Sequence, residues 1–519
     1  MRFFHVLVTA IVAALCWIGA HADVALPPVI SDSMVLQQAQ HAQLWGTAAP
    51  GEPVTVCLAN QTVQTTADVQ GKWSLRLKPI KAGGPYTLVV SGAKNTLTVH
   101  DVLVGEVWCA SGQSNMEFTL DRANNAEQEV AAANYPTLRI FTANRQVART
   151  PQESVGGHWV VCTPQTAGKF TALGYFFGRE IIKARKTPVG LLHISCGWTP
   201  GEAWMPREAL TADPDLKIIV DRWDEITRDA DTYPTRFTEW QKACDAAKTA
   251  GQPLPAEPAK PKDPNFMHRA CGLWNGGVAP LTPYTIRGII WYQGETNEVR
   301  AYQYRKEFQA LIRGWRQAWG EGDIPFLYMQ VSSVLPADPV PVDSEWAELR
   351  EAQTMALALP NTGMALTMDI TDDWKDVHPR NKQDAGFRLG LVARAKVYGE
   401  KIPYSGPMYK GMKVENSAIR ITFTCTDGGL HTKNNEPLRG FTIAGADHKF
   451  VYATARLDKD TVVVSSDQVA NPVAVRYAWA NNPLGSNLYN GVPLPAVSFR
   501  TDDWTEKTRG FTKLTVDLM

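Results

Sequence analysis

Between residues 101 and 370 the chain repeats one alternation, a compact apolar run followed by an amphipathic helical pattern. The apolar runs are DVLVGEVW (101–108), TPVGLLHIS (187–195), TIRGIIWYQG (285–294), IPFLYMQVSS (324–333) and TGMALTMDI (362–370). Between them lie AEQEVAAA, GYFFGREIIKAR, AYQYRKEFQALIRGWRQAWG and EWAELREAQTMALA. Short runs that are apolar on both faces need cover on both sides, and the intervening helices supply it. This pattern predicts a parallel sheet sandwiched between two helical layers. In such sheets the chemistry gathers at the carboxyl ends of the strands.

The flanks read differently. From residue 23 to 100, segments such as PVTVCLAN, KWSLRLKPI and PYTLVVSG are separated by regularly spaced turns, which predicts a small antiparallel β domain. β patterning returns from residue 403 to 519 in SAIRITFTC, FTIAGADHKFVYATARL and TVVVSS, a closing β domain of sandwich type. The α/β domain thus spans 101–402, and residues 205–270 interrupt it with charged helical sequence and the proline-rich PLPAEPAKPKDP, read as an insertion. At 519 residues the chain is long enough for two or three cores.

Lys plus Arg and Asp plus Glu both total 52, so no charge excess points to nucleic acid or another polyanion. A neutral small molecule or a glycan fits better. The 17 tryptophans are generous, and indoles stack on sugars, although core packing accounts for most tryptophans in any protein. The first 22 residues carry one Arg, an apolar run and a small-x-small ending at Ala20-His21-Ala22. They read as a secretory signal, giving a secreted or periplasmic protein with no membrane attachment after cleavage. Beyond Cys16 the remaining seven cysteines are sparse and odd in number, so this is no disulfide scaffold, and any pairing is left open. No C-x-x-C, H-E-x-x-H or Cys/His cluster appears, and no metal or other cofactor is expected.

Two segments carry the candidate chemistry. GEVWCASGQSNMEF (105–118) ends the first parallel strand and places Ser114 where a helix can begin, beside backbone N–H groups. A lone serine in a turn is ordinarily a cap former, and Met116 departs from the G-x-S-x-G elbow. DITDDWKDVHPRNKQDAGFRLG (369–390) follows the last strand with a carboxylate-rich loop and His378. A histidine there can act as general base toward a serine at a neighbouring strand end, with an aspartate fixing its tautomer.

GEVWCASGQSNMEF, SCGWTPGEAW (195–204), IIWYQGETN (289–297) and DVHPRNKQ (376–383), in that order, resemble the successive blocks of the sialate O-acetylesterase family, a branch of the SGNH hydrolases. AWANNPLGSNLYN (478–490) is similar to it as well, so the likeness covers most of the chain after the signal. The resemblance implies an SGNH-type three-layer α/β/α fold flanked by β-rich domains. It implies a serine-dependent esterase that removes O-acetyl groups from sialic acid or from plant polysaccharides such as xylan and xyloglucan.

Carried across, the resemblance makes Ser114 the nucleophile and His378 the general base. It draws the oxyanion hole from the N–H groups of Ser114 and Gly197 and the amide of Gln293. The triad acid is assigned to Asp376, with Asp372, Asp373, Asp369 or a Ser–His dyad left open, because Lys375 stands three residues before His378 where SGNH enzymes place the acid. Asn115, Trp198 and Glu295 are assigned to substrate, against the alternatives of capping and satisfied polar contacts. Trp204 and Trp291 are further candidates for a sugar wall, with Trp291, on its apolar strand, read rather as core. The expected partner is an O-acetylated sugar or glycan. Two rival functions remain: a non-catalytic secreted glycan-binding protein, and an esterase for other short-chain esters.

Overall fold

The computed structural model describes residues 23–483 and 485–518; the expected signal segment lies outside them. Seven strands form the central sheet: β1 (Thr96–Gly112), β2 (Tyr135–Ala143), β3 (Gly157–Cys162), β4 (Val189–Ser195), β5 (Gly288–Tyr292), β6 (Phe326–Met329) and β7 (Thr362–Ala365). Their order is β7-β6-β5-β1-β4-β2-β3, parallel throughout except for the antiparallel β2–β3 edge pair. The central strands, buried along their length, match the apolar runs in the sequence.

Alternate residues of β1 enter different layers. Val107 and Cys109 join a core with Phe308, Leu311 and Trp315 of α4 (Ala301–Trp319) and Leu349 of α5 (Glu345–Met355). Trp108 and Ala110 face the other way, against Phe176 and Phe177 of α2 (Ala172–Arg185) and Leu389 and Val392 of α6 (Lys382–Lys396). This is the expected three-layer α/β/α arrangement, with Trp291 and Trp204 both inside the first of these cores.

β1 also belongs to the N-terminal region. Over residues 96–104 it pairs antiparallel with Gly83–Ser91, and at 103–105 it takes Val35–Gln37 as a parallel neighbour. From Glu106 onward its partners are β4 and β5. The expected boundary at residue 100 therefore falls inside a single 17-residue strand.

The region 205–270 contains one 37-residue helix, α3 (Pro214–Ala250), followed by the proline-rich stretch, which carries no regular structure through residue 263. Asp213 caps α3, accepting from the Asp215 N–H at 2.8 Å, with Pro214 at the first helical position. After residue 403, two four-stranded antiparallel sheets enclose a separate core that includes Ile419, Ile421, Phe441, Ile443 and Val475. The last residues return to the α/β region, where Leu514 and Val516 join the first core. All seven described cysteines are free thiols.

Candidate active site

Register alone brings three of the sequence blocks together. Ser195 and Tyr292 are both aligned with Gly112, so the residues just beyond β1, β4 and β5 emerge side by side at one sheet edge. Gly112 has φ +140, and a Cβ there would sit 2.1 Å from the Tyr292 carbonyl oxygen, so only glycine allows this approach. Gln113 then bridges the strand ends: its N–H donates to the Tyr292 carbonyl at 2.9 Å, and its side-chain oxygen accepts from Gly294 N–H at 3.3 Å. The chain turns into α1 (Ser114–Glu117), which leaves the Ser114 side chain half-buried.

The loop after β7 leaves the same carboxyl edge of the parallel sheet. His378 Nε2 lies 2.8 Å from Ser114 Oγ, and Nδ1 lies 2.5 Å from Asp376 Oδ1. With Nδ1 protonated toward the carboxylate, Nε2 is the acceptor for the serine hydroxyl. Asp376 Oδ1 also accepts the His378 backbone N–H at 3.0 Å, so one carboxylate oxygen fixes both ring and backbone. The other loop acids have different partners. Asp369 is paired with Arg388 and Tyr489, Asp372 accepts Arg380 N–H at 3.1 Å, and Asp373 accepts Lys375 N–H at 2.9 Å. A second serine–histidine contact, His193 to Ser195 at 2.8 Å, is buried within β4. Burial, helped by Arg145, lowers His193 to about 4, leaving a neutral ring closed off from substrate.

Gly197 abuts the serine. A Cβ there would lie 3.4 Å from Ser114 Cβ and 3.2 Å from Glu117 Oε2. Its N–H, expected as an oxyanion donor, donates to Glu117 Oε2 at 2.7 Å, and Glu117 is paired in turn with Arg145.

Three residues expected to act at the site are buried. Gln293 is fully buried, and Nε2 donates to Asn297 Oδ1 at 2.7 Å and to the Thr199 carbonyl at 3.3 Å, while Oε1 accepts from Tyr304. Both amide hydrogens are thus bonded inside a polar network with Glu202, Arg300 and Glu307. Asn115 is fully buried and Glu295 nearly so, and the two are bonded to each other at 2.7 Å. The sequence identified them as polar residues at a strand end, and that position is the same whether a side chain turns inward or outward. Trp198 does face out, 52% exposed, in the left-handed region at φ 59. His268 bonds its carbonyl, and the rings of Phe266 and His268 pack against its indole. A non-glycine residue in that conformation is a cost that the surrounding contacts sustain.

The family model described as "Carbohydrate esterase, sialic acid-specific acetylesterase" matches residues 274–395. Sialate O-acetylesterase of Rattus norvegicus is 30% identical over 509 residues, covering 90% of this chain and 91% of the relative. The chain belongs to the sialate O-acetylesterase family. It is a carboxylic ester hydrolase. Sialate O-acetylesterase of Homo sapiens is likewise 30% identical, across 91% of this esterase and 92% of its own length. A crystal structure described as a novel carbohydrate acetylesterase from Xanthomonas citri superposes with TM-score 0.79 at 37% identity, over 93% of the esterase and 100% of that chain.

One buried residue of the candidate site escaped sequence reasoning. Lys382, the first residue of α6, donates from Nζ to Asn115 Oδ1 at 2.6 Å and is fully buried. A signal was present, since a lysine in the first turn opposes the helix dipole, where Asp or Glu is favoured. Among the described residues, no group of three or more His, Cys, Asp or Glu side chains is arranged to hold a metal ion, and no helix is long and apolar enough to cross a membrane.

Proposed function

We propose that the protein is an exported carbohydrate O-acetylesterase working through Ser114. The observation that carries this reading is the unbroken line from Ser114 Oγ to His378 Nε2 and from His378 Nδ1 to Asp376. Ser114 loses its proton to His378 as Oγ attacks the acetyl carbonyl. The negative charge forming on the carbonyl oxygen is met by the N–H groups of Ser114 and Gly197, the latter released from Glu117 when substrate enters. The imidazolium, held by Asp376, then protonates the departing sugar oxygen. Water, deprotonated by His378, attacks the acetyl-serine carbonyl, and acetate leaves as the serine regains its proton. Gln293 acts here as scaffold.

The substrate is an O-acetylated sugar, either sialic acid or a plant polysaccharide unit of the xylan or xyloglucan kind. The exposed Trp198 indole beside Gly197 supplies an apolar wall for a sugar ring. Residues 1–22 serve as the export signal. The deciding experiment measures acetate release from acetylated sialic acid, acetylated xylan and an activated acetate ester. Ser114→Ala is expected to lower kcat by about 10³-fold or more on any substrate the protein turns over. Near-complete retention of activity would place the nucleophile elsewhere, and binding of acetylated glycan without turnover by the native chain would favour a lectin-like role.

A further inference from the structure

Behind the catalytic line runs a second, buried line of hydrogen bonds. Lys382 Nζ donates to Asn115 Oδ1 at 2.6 Å; Asn115 Nδ2 donates to Glu295 Oε1 at 2.7 Å and to the Val377 carbonyl at 3.0 Å. Ser332 Oγ donates to the same carbonyl at 3.0 Å. Asn115 adjoins Ser114 and Val377 adjoins His378, so a single amide joins the residue next to the alcohol to the residue next to the imidazole.

The amide has one orientation available. Its oxygen faces an ammonium and its nitrogen faces a carboxylate, and a flipped amide would put like polarity against each. The ammonium lies over two rings, Phe118 at 4.7 Å and Tyr292 at 5.4 Å from their centroids. The Phe118 ring also stacks against the His378 ring at 6.3 Å. Burying a lysine is costly, and placing it at the start of a helix adds to the cost. Packing alone explains neither, since a methionine would fill the same space.

We propose that Lys382, acting through Asn115, is a positioning residue of the esterase site: it locks the amide that fastens the Ser114 turn to the His378 loop. This rests on the Ser114–His378 reading of the site. The groups facing Lys382 are Glu295 and Asp376, with Asp372 and Arg122 further contributors. Lys382→Met therefore leaves the carboxylates near His378 less compensated, and the imidazolium becomes easier to form. Glu295→Gln acts in the opposite sense.

The test uses the full chain and an activated acetate ester. Lys382→Met is expected to lower kcat by about 10- to 100-fold with KM changed less than about threefold, because the reacting groups are misplaced while the ester's contacts survive. Lys382→Gln, which keeps a donor for Asn115, should recover part of that loss. Lys382→Met combined with Asn115→Leu should be no worse than Asn115→Leu alone. The acidic limb of the kcat/KM profile should move to higher pH in Lys382→Met and to lower pH in Glu295→Gln. An unchanged kcat, additive losses in the double variant, or an acidic limb unmoved in both variants overturns the proposal. If Lys382→Met does not fold, the Gln variants at 382 and 295 carry the same pH comparison. Activity lost in Ser114→Ala but intact in the Lys382 variants sinks this inference alone, whereas activity surviving Ser114→Ala sinks the site reading beneath it.

Discussion

Glu117 holds the backbone N–H of Gly197 at 2.7 Å, the same donor that the proposed reaction gives to a developing oxyanion. A neutral donor held by a carboxylate must be surrendered before it can serve, and the net worth of a hydrogen bond to a charged group is about 1.5–3 kcal/mol. Glu117→Ala is accordingly expected to raise kcat/KM for a small acetate ester by about 10- to 100-fold in steady-state assays; a tenfold fall would make the carboxylate a support for the Gly197 turn. Asp376 is the one loop acid touching the imidazole, so Asp376→Asn should lower kcat by about 10²–10⁴-fold. Asp372→Asn and Asp373→Asn, which replace carboxylates that bond backbone N–H groups and, for Asp372, the Asn124 amide rather than the imidazole, should stay within a few-fold, and comparing the three kcat values checks the assignment. Residues of this kind differ in how legible they are. Ser114 stands out because the end of a buried strand brings the next few side chains to the surface, and His378 because it is a histidine in the carboxylate-rich loop after the last strand. Choosing among four aspartates depends on how one loop folds back, and the buried roles of Gln293, Asn115 and Glu295 depend on partners as remote as Tyr304, Val377 and Lys382.

At the scale of elements, β4 to β7 were readable because strands buried on both faces leave unbroken apolar runs. α1 was only half readable: four residues have no periodicity, and only the Gly112-Gln113 turn marks its start. The start of α6 carries a measurable consequence. Burial lowers the Lys382 ammonium to about 7. In the unfolded chain the same group keeps its proton up to the ordinary lysine range, so between about pH 7 and 10 the unfolded state binds more protons and the unfolding free energy rises with pH. Below that window the cost of the buried charge is present in full. Lys382→Met lacks this dependence. Urea denaturation of both proteins from pH 6.5 to about 9.5 should show the difference drifting in favour of the native sequence as pH rises; a flat difference would mean that the ammonium does not titrate there.

Across the whole molecule, the closing segment is not a free tail. Lys507 N–H and the Thr508 N–H and hydroxyl all donate to Glu348 of α5, at 2.6, 3.1 and 2.6 Å. Arg500 and Arg305 converge on Glu506 close by. Glu348→Ala leaves several buried groups unpaired, so a loss of about 2–4 kcal/mol is expected. Thermal and urea unfolding would register it, and a change below about 0.5 kcal/mol, the ordinary surface value, would show that the segment contributes little. No local pattern announces this clasp, because its halves lie some 160 positions apart. The opening region has the converse arrangement. β1 pairs with Gly83–Ser91 at its beginning and delivers Ser114 at its end, so both regions hang from one lever arm. An exchange of leading regions between relatives therefore has its safe splice upstream, near Gly92–Asn95. A one-residue slip made inside the lever would swap Trp108 and Cys109 between opposite layers and carry the reactive alcohol out of step with its partners.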